Sequence, residues 1–124
     1  MKTLFPIKGS PQQELELIAG RVRIGVTGAV GAITGGLGVT SVTRDSAGVY
    51  IFLLEDEPAT IYGAKGIVRS DAAVDLQVQL ETISESTKTI TLRCVAVAAE
   101  TDPGDGDDLC FEFLVSRKQV GRAA

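Results

Sequence analysis

Residues 35–54 constrain the fold of this chain more than any other stretch. Two runs rich in β-branched residues, 39–43 and 49–54, flank a short polar segment, 44–48, that ends in a glycine. β-Branched residues favour extended strands, and small polar residues followed by glycine favour a tight reversal. The stretch is therefore predicted to be a β-hairpin against which the rest of the chain packs. Its second run is apolar almost throughout, which predicts a strand covered on both faces or one that meets another subunit.

Alternation of apolar and polar residues with period two runs through much of the remaining chain. In residues 14–26, Leu15 and Leu17 share one face, and the apolar residues after Gly20 fall on the other parity. A change of phase at positions 19 and 20 is predicted, with a bulge or bend at the glycine. The later positions predicted to point inward are Val22, Ile24 and Val26.

Two further segments predict paired strands and a final strand. Residues 73–82 and 88–98 form a second predicted hairpin with a turn at 84–87, and residues 109–116 form the last predicted strand. Within each strand, the side chains predicted to share a face are Val74, Leu76, Val78 and Leu80, then Ile90, Leu92, Cys94 and Ala96, and finally Leu109, Phe111, Phe113 and Val115.

The whole pattern indicates an all-β fold. The glycine-rich residues 27–38 predict a loop or a short irregular strand, and residues 59–68 predict a loop and then a weak strand broken by Gly63 and Gly66. About seven or eight strands at spacings of about ten residues favour an antiparallel β-sandwich or jelly roll. We expect an extended N-terminal arm at 1–13, the β-sandwich domain at 14–116 and a basic C-terminal tail at 117–124.

The charge and the lengths of the apolar runs indicate which partners are not expected. The 124 residues are the size of one domain, and 12 Lys and Arg against 16 Asp and Glu give a net charge of −4. Duplex nucleic acid requires a basic face, so no nucleic-acid partner is expected. The chain has no apolar run of about 18 residues, so no membrane span is expected.

The first residues and the cysteines bear on the cellular compartment. Pro6, Lys8 and Gly9 interrupt the apolar part of the N-terminus, so no signal peptide is expected and synthesis is placed in the cytoplasm, where disulfides are rare. Cys94 and Cys110 both fall in predicted strands and are interpreted as buried small hydrophobic residues. A disulfide between them would require adjacent strands in a suitable register.

Catalysis is not expected from this set of residues. The chain contains no histidine, which removes most acid–base, metal and catalytic-triad mechanisms at neutral pH. A cysteine nucleophile would need a lysine as its base, and the acids lie in turns or alternate with apolar residues. We expect a protein that is not an enzyme, has no catalytic residue and needs no cofactor.

One acidic segment is a candidate cation site. The turn at residues 100–108 carries four aspartates, Asp102, Asp105, Asp107 and Asp108, around two glycines. Hard oxygen ligands in a glycine-rich loop suit calcium, but the spacing matches neither an EF-hand nor a tandem β-helix repeat. The favoured interpretation is a soluble hairpin tip, with calcium binding as the alternative.

The first hairpin carries a family resemblance. Residues 36–44, GLGVTSVTR, followed by residues 47–51, AGVYI, resemble a hairpin of small structural proteins of tailed bacteriophages. In those proteins a second alternating hairpin and an Asp-rich turn before an apolar last strand follow, and residues 73–76 and 107–111 stand in those positions. The resemblance spans roughly residues 20–116.

The resemblance implies a virion component, with a capsid decoration (cement) protein as the first expectation. Such a protein binds the outer capsid surface where major capsid subunits meet, so its expected partners are the major capsid protein and itself, as a trimer. Its expected location is the virion. The alternatives are a tail-, collar- or fibre-associated attachment module and a carbohydrate-binding β-sandwich, the last weakened by the shortage of aromatic residues. The interface candidates are Phe5, Pro6 and Ile7 in the arm and Val49, Tyr50, Ile51 and Phe52 in the apolar strand.

Overall fold

The computed structural model describes residues 15–71, 75–97 and 99–117, and these form two packed antiparallel β-sheets. The predicted arm and the residues after 117 lie outside the described part. The strands are β1 (Leu15–Ile24), β2 (Val30–Gly35), β3 (Val39–Ser46), β4 (Val49–Leu54), β5 (Pro58–Arg69), β6 (Gln77–Ser84), β7 (Thr89–Ala96), β8 (Ala99–Glu100) and β9 (Asp108–Arg117), with a 3₁₀ turn at Val26–Gly28.

The strand order defines a β-sandwich, as the sequence predicts. The four-stranded sheet has the order β2-β1-β9-β5, and the five-stranded sheet has the order β3-β4-β7-β6 with the short β8 paired to β7. All the strand pairs are antiparallel. One end of the sandwich, the open end, holds the start of β1 and the end of β9. The opposite end, the turn end, holds the β3–β4 turn and the acidic segment before β9.

The core is built from the inward faces that the alternation predicts. Phe52 of β4 meets Phe111 and Phe113 of β9 across the two sheets, with ring centroids 4.8 and 5.2 Å apart. Aromatic pairs at these separations add to the free energy of burial. Of the residues predicted to share a face in β7 and β9, Ala96 is partly buried and the others are buried: Ile90, Leu92, Cys94, Leu109, Phe111, Phe113 and Val115.

The apolar strand of the first hairpin lies inside its sheet. β4 is paired on both sides, to β3 and to β7, and Val49, Tyr50 and Phe52 are at most 4% exposed. The turn is shorter than predicted, because β3 continues to Ser46 and only two residues separate the strands. The second of these is Gly48 with a φ of +75°, a left-handed conformation that glycine adopts without strain.

The predicted phase change in β1 is wrong. Ile18, Val22 and Ile24 are all buried along one uninterrupted alternation, and β1 pairs with β9 without a register shift. Gly20 occupies an inward position of the same series, where the backbone of Gly36 covers it so closely that a Cβ would lie 2.5 Å from the Gly36 nitrogen. The glycine marks a close backbone approach instead of a bulge. Val26, predicted to point inward, lies in the 3₁₀ turn and is exposed.

Two weakly patterned segments form strands. The glycine-rich stretch forms the 3₁₀ turn and β2, so the short irregular strand is the alternative that is realised; its pairing to β1 shifts register between Val22 and Ile24. β5 is one strand of 12 residues, with an irregularity between Ile61 and Gly63, and it is not broken at Gly66. Pairing to β9 along its length supplies the order that its own pattern lacks.

β6 follows its predicted pattern only in part. It is the edge strand of the five-stranded sheet, so Leu76 before it and Val78 are only partly buried and Leu80 is 43% exposed. A register shift between Leu80 and Thr82 then places Ile83 opposite the buried Ile90. Val74, the first residue of the predicted series, lies outside the described residues.

Candidate functional site

The aspartates of the acidic turn point to different partners. The Asp107 carboxylate accepts a hydrogen bond from the Gly104 amide at 2.9 Å, and Asp108 pairs with Arg23 at 2.9 Å and with Arg21 at 3.6 Å. Asp102 turns to the first hairpin, and Asp105 is exposed. Within the described residues, no three acidic or cysteine side chains are grouped as metal ligands. The structure therefore does not bring the four aspartates together as a calcium site. The turn is also more than a soluble tip, because Asp102 and Asp108 bind side chains of other strands and Asp107 fixes the turn itself.

Asp102 is the centre of a polar cluster at the turn end. Arg44 of β3 donates from Nε at 3.0 Å and from Nη2 at 2.8 Å to its two carboxylate oxygens. The Gly48 amide donates to Asp102 Oδ1 at 2.6 Å, and the Tyr50 hydroxyl donates to the Gly28 carbonyl at 2.9 Å while lying 3.4 Å from the same Oδ1. We call these five residues the Asp102 cluster.

The protonation states of the Asp102 cluster are those expected of residues that hold strands together. The hydrogen bonds from Arg44 lower the pKa of Asp102, and the hydrogen bond to Asp102 raises the pKa of Arg44. Burial, and then the charge of Asp102, raises the pKa of the Tyr50 hydroxyl. Burial raises the pKa of the neighbouring Cys94 thiol to about 11. None of these groups exchanges a proton near neutral pH, and a protonated thiol is a poor nucleophile.

The two cysteines lie in different sheets and are both free. Cys94 is fully buried in β7, as interpreted from the sequence, whereas Cys110 of β9 is only partly buried. Cys110 pairs with Arg21 of β1 and with Ile67 of β5. Those outward-facing neighbours place its side chain on the outside of the four-stranded sheet.

The outside of the four-stranded sheet exposes several large apolar side chains. We call this surface the outer face and define it by Leu15, Leu17, Tyr62, Ile67 and Leu114, which are between 39% and 65% exposed. Leu17 and Leu114 are directly paired across β1 and β9, and Gly63 of β5 follows on the other side. Leu17 and Leu114 are therefore neighbours, and Leu15 lies two residues from Leu17 on the same face of β1, so these leucines are not scattered single exposures. Ile67 lies apart from them, opposite Cys110 and beyond the Lys65–Glu112 pair.

Charged pairs continue the outer face toward the turn end. Lys65 and Glu112 are paired across β5 and β9 with 3.0 Å between their charged groups, and the Asp108 pairs with Arg21 and Arg23 lie beyond them. The surface is thus apolar near the open end and mainly charged near the turn end, where Ile67 is an exposed apolar side chain between Lys65 and Arg69. An apolar patch with a polar rim is the usual composition of a protein-binding surface.

The sequence-predicted interface residues are not part of this face. Tyr50 and Phe52 are buried in the core between the sheets, which accounts for their apolar character. Val49 is buried on the other face of β4, outside that core cluster, and Ile51 is partly buried. Tyr50 and Phe52 are corrected to core residues, and Val49 to a buried residue. Phe5, Pro6 and Ile7 lie outside the described residues.

The outer face was visible in part in the sequence. Leu15 and Leu17 have the opposite parity to the buried Ile18 and Val22, and Leu114 has the opposite parity to Phe113. An apolar residue on the solvent parity of a strand is the signal that could have indicated the surface. The assumed phase change in β1 concealed it.

A cleft of about 590 Å³ opens between the two sheets at the open end. Its walls come from the start of β1, the β2–β3 turn, the β4–β5 connection and the end of β9. We call it the end cleft. Its residues are Glu16, Ile18, Leu37, Gly38, Leu54, Glu55, Asp56, Glu57, Pro58, Val115 and Ser116.

Comparison of the chain with protein-family models, with curated proteins and with solved structures finds no match. In the part of the chain that the structure describes, no helix has the length and apolar character needed to cross a membrane.

Proposed function

We propose that this protein is a structural virion component, a capsid decoration protein that docks on other protein subunits through its outer face and stabilises the shell. The observation that carries the proposal is the apolar patch on the outer face near the open end, where Leu17 and Leu114 are paired and Leu15 lies beside them. Exposing these apolar side chains to water is unfavourable in free energy, and burying them against a protein partner removes that unfavourable term. The capsid as the partner, and a trimer as the assembled form, rest on the resemblance of the first hairpin to small phage structural proteins.

The other features of the molecule are compatible with a role that depends on surfaces. The polar groups of the Asp102 cluster connect strands, and their pKa values favour fixed charge states at neutral pH. A decoration protein stabilises a shell by burying area between subunits, so it requires a rigid sandwich and a docking surface. We propose accordingly that the protein has no enzymatic activity and no cofactor.

The chief alternative is a tail-, collar- or fibre-associated module. It would use the same outer face, and the two locations differ in copy number: hundreds of copies per particle indicate a capsid site, and about a dozen or fewer indicate a tail or collar site.

A carbohydrate-binding role is less favoured by the exposed side chains. Sugar rings stack on exposed aromatic side chains, and Tyr62 is the exposed aromatic residue among those the structure describes. Tyr50, Phe52, Phe111 and Phe113 are buried. A glycan array that shows specific binding would favour this alternative.

The test is binding to shells assembled from the major capsid protein encoded in the same genome, measured by co-sedimentation and by light scattering. Leu17→Lys places a charge at the centre of the outer face, where burial would be costly, and should weaken binding by roughly 100-fold or more. Leu80→Lys is the matched control, because Leu80 is 43% exposed on the five-stranded sheet. It should bind within about threefold of the wild type.

Two results would contradict the proposal. One is a monomer that ignores the shells at all concentrations. The other is a Leu17→Lys variant that is folded, by circular dichroism, and binds as well as the Leu80→Lys control.

A further inference from the structure

The end cleft has an apolar floor and one exposed apolar side chain at its rim. Ile18, Leu54 and Val115 are buried beneath it, so its floor is continuous with the core of the sandwich. Leu37 in the β2–β3 turn stands at the rim and is 89% exposed, more than any other large apolar residue described. Pro58 adds a further apolar wall. A segment with apolar side chains could therefore extend the core at this end.

The rim of the end cleft is acidic. Glu55, Asp56 and Glu57 follow one another in the β4–β5 connection, and Glu16 of β1 also lines the cleft. The Lys88 amine lies 3.5 Å from the Glu55 carbonyl oxygen, to which it donates. Glu16, Glu55 and Asp56 outnumber this one ammonium, so the opening keeps a negative potential that attracts a cationic segment. The cleft thus favours an occupant that is apolar in its middle and basic at its flanks.

Residues 1–13 of the same chain have this composition. Leu4, Phe5, Pro6 and Ile7 are flanked by Lys2 and Lys8, and the segment contains no acidic residue. Removing its two lysines from the totals leaves 10 basic residues against 16 acidic ones, so residues 14–124 carry a net charge of −6 while this arm carries +2. The arm and the cleft are therefore complementary in charge as well as in apolar character.

The point of attachment favours the chain's own arm over one from another molecule. The described chain begins at Leu15, next to Glu16 of the cleft wall. The eight residue-to-residue steps from Ile7 to Leu15 span at most about 26–29 Å. Closing so short a loop costs little entropy, and the tether gives the arm an effective concentration in the millimolar range. Gly9 and Pro11, between the apolar residues and Leu15, are residue types that favour a chain reversal.

We propose that residues 4–7 of the N-terminal arm bind in the end cleft of their own chain, across Leu37, with Lys2 and Lys8 beside the acidic rim. Leu37 is then covered, and the open end of the sandwich is sealed. The arm becomes part of the folded domain, whereas the outer face is left free for a partner.

Disulfide trapping tests the position of the arm. Phe5→Cys is combined with Leu37→Cys in a Cys110→Ala background, because Cys110 is the partly exposed native thiol and Cys94 is buried. The matched control combines Phe5→Cys with Val97→Cys, since Val97 is 87% exposed but lies beyond the end of β7, at the turn end. After mild oxidation, the 5–37 pair should give a faster-migrating monomer on a non-reducing gel, at least roughly tenfold more than the 5–97 pair.

The other outcomes overturn the proposal. Disulfide-linked dimers or larger species through the 5–37 pair would place the arm on a second copy. Equal trapping at the two positions, or none at either, would show that the arm does not select the end cleft.

Thermal unfolding provides an independent measurement. Deletion of residues 2–9 should lower Tm by roughly 3–8 °C, because the apolar contacts with Leu37 are lost. Deletion of residues 118–124, a basic segment of similar length, should leave Tm unchanged. Reversal of both arm lysines, Lys2→Glu with Lys8→Glu, should lower Tm in 0.02 M salt, and 1 M salt should remove most of that difference.

Equal Tm values for the two deletions would contradict the proposal. The arm variants leave the outer face unchanged, so the two proposals are tested independently. Equal Tm values would contradict the position of the arm and not the shell binding, and a lack of shell binding would contradict the proposed function and not the position of the arm.

Discussion

Replacement of Asp102 by alanine is expected to destabilise the sandwich without altering its apolar core. Asp102 lies in the segment between β8 and β9, and its carboxylate accepts hydrogen bonds from Arg44 of β3 and from the Gly48 amide in the β3–β4 turn. The substitution removes both acceptors at once. The first hairpin then loses its connection to the segment that leads into the last strand.

The magnitude follows from the groups left without a partner. The Gly48 amide is partly buried and has its acceptor at 2.6 Å, and leaving such a donor unsatisfied costs about 1–3 kcal/mol. The Tyr50 hydroxyl keeps the Gly28 carbonyl at 2.9 Å, so its loss is small. We expect a decrease of about 2 kcal/mol in the free energy of unfolding, or a Tm lower by roughly 6–10 °C.

The effect should depend on pH in a defined direction. The pKa of Asp102 is lowered in the folded state by the hydrogen bonds from Arg44, from an unfolded value of about 3.9. A depressed carboxyl pKa contributes stability that is present above the unfolded pKa and is lost as the pH falls through the folded pKa. The difference between wild type and Asp102→Ala should therefore be constant above about pH 5 and shrink as the pH falls through the lowered pKa of Asp102.

Urea unfolding followed by circular dichroism, repeated across this pH range, measures both quantities. Asp105→Ala is the matched control, because Asp105 belongs to the same acidic turn and is exposed. It should change the free energy of unfolding by less than about 0.5 kcal/mol. The reasoning is refuted if the two variants are equally stable, or if the loss caused by Asp102→Ala grows as the pH falls.

Two further predictions concern glycine and cysteine positions. Gly20→Ala should lower the free energy of unfolding by about 2–3 kcal/mol or prevent folding, since the new Cβ would meet the Gly36 backbone. Gly63→Ala is the control, because there is open space around Gly63. Its free energy of unfolding in urea should be unchanged or slightly higher. Cys110 should react with a thiol reagent in the native protein roughly tenfold or more faster than Cys94, whose thiol is buried and has a pKa raised to about 11; equal rates measured by mass spectrometry would contradict this.

Residues of the first hairpin acquire a structural explanation from the tertiary fold. Arg44, Gly48 and Tyr50 belong to residues 36–51, and all three meet in the Asp102 cluster. Asp102 is more than 50 residues away in the sequence. Contacts that close the turn end therefore explain these residues of the hairpin. The proposal about docking depends on the outer face instead.

The inward faces of the regular strands were determined by the sequence alone. Alternation along β7 and β9 predicts the buried residues from Ile90 to Cys94 and from Leu109 to Val115, because successive side chains of a strand point to opposite faces. The continuous apolar run of β4 likewise predicts an internal strand. These are local rules, which need no knowledge of the neighbouring strands.

Only the tertiary structure decided the features that depend on what lies opposite. The sequence does not distinguish a strand glycine at a bulge from one that another backbone approaches closely. The short distance between Gly20 and the Gly36 backbone shows that the close approach applies here. From the sequence alone, an aspartate in a turn is expected to be solvated. In the structure, Asp102 instead accepts hydrogen bonds from Arg44 and Gly48. Long-range contacts set these outcomes, because burial and hydrogen bonding are properties of the space around a residue and not of its position in the chain.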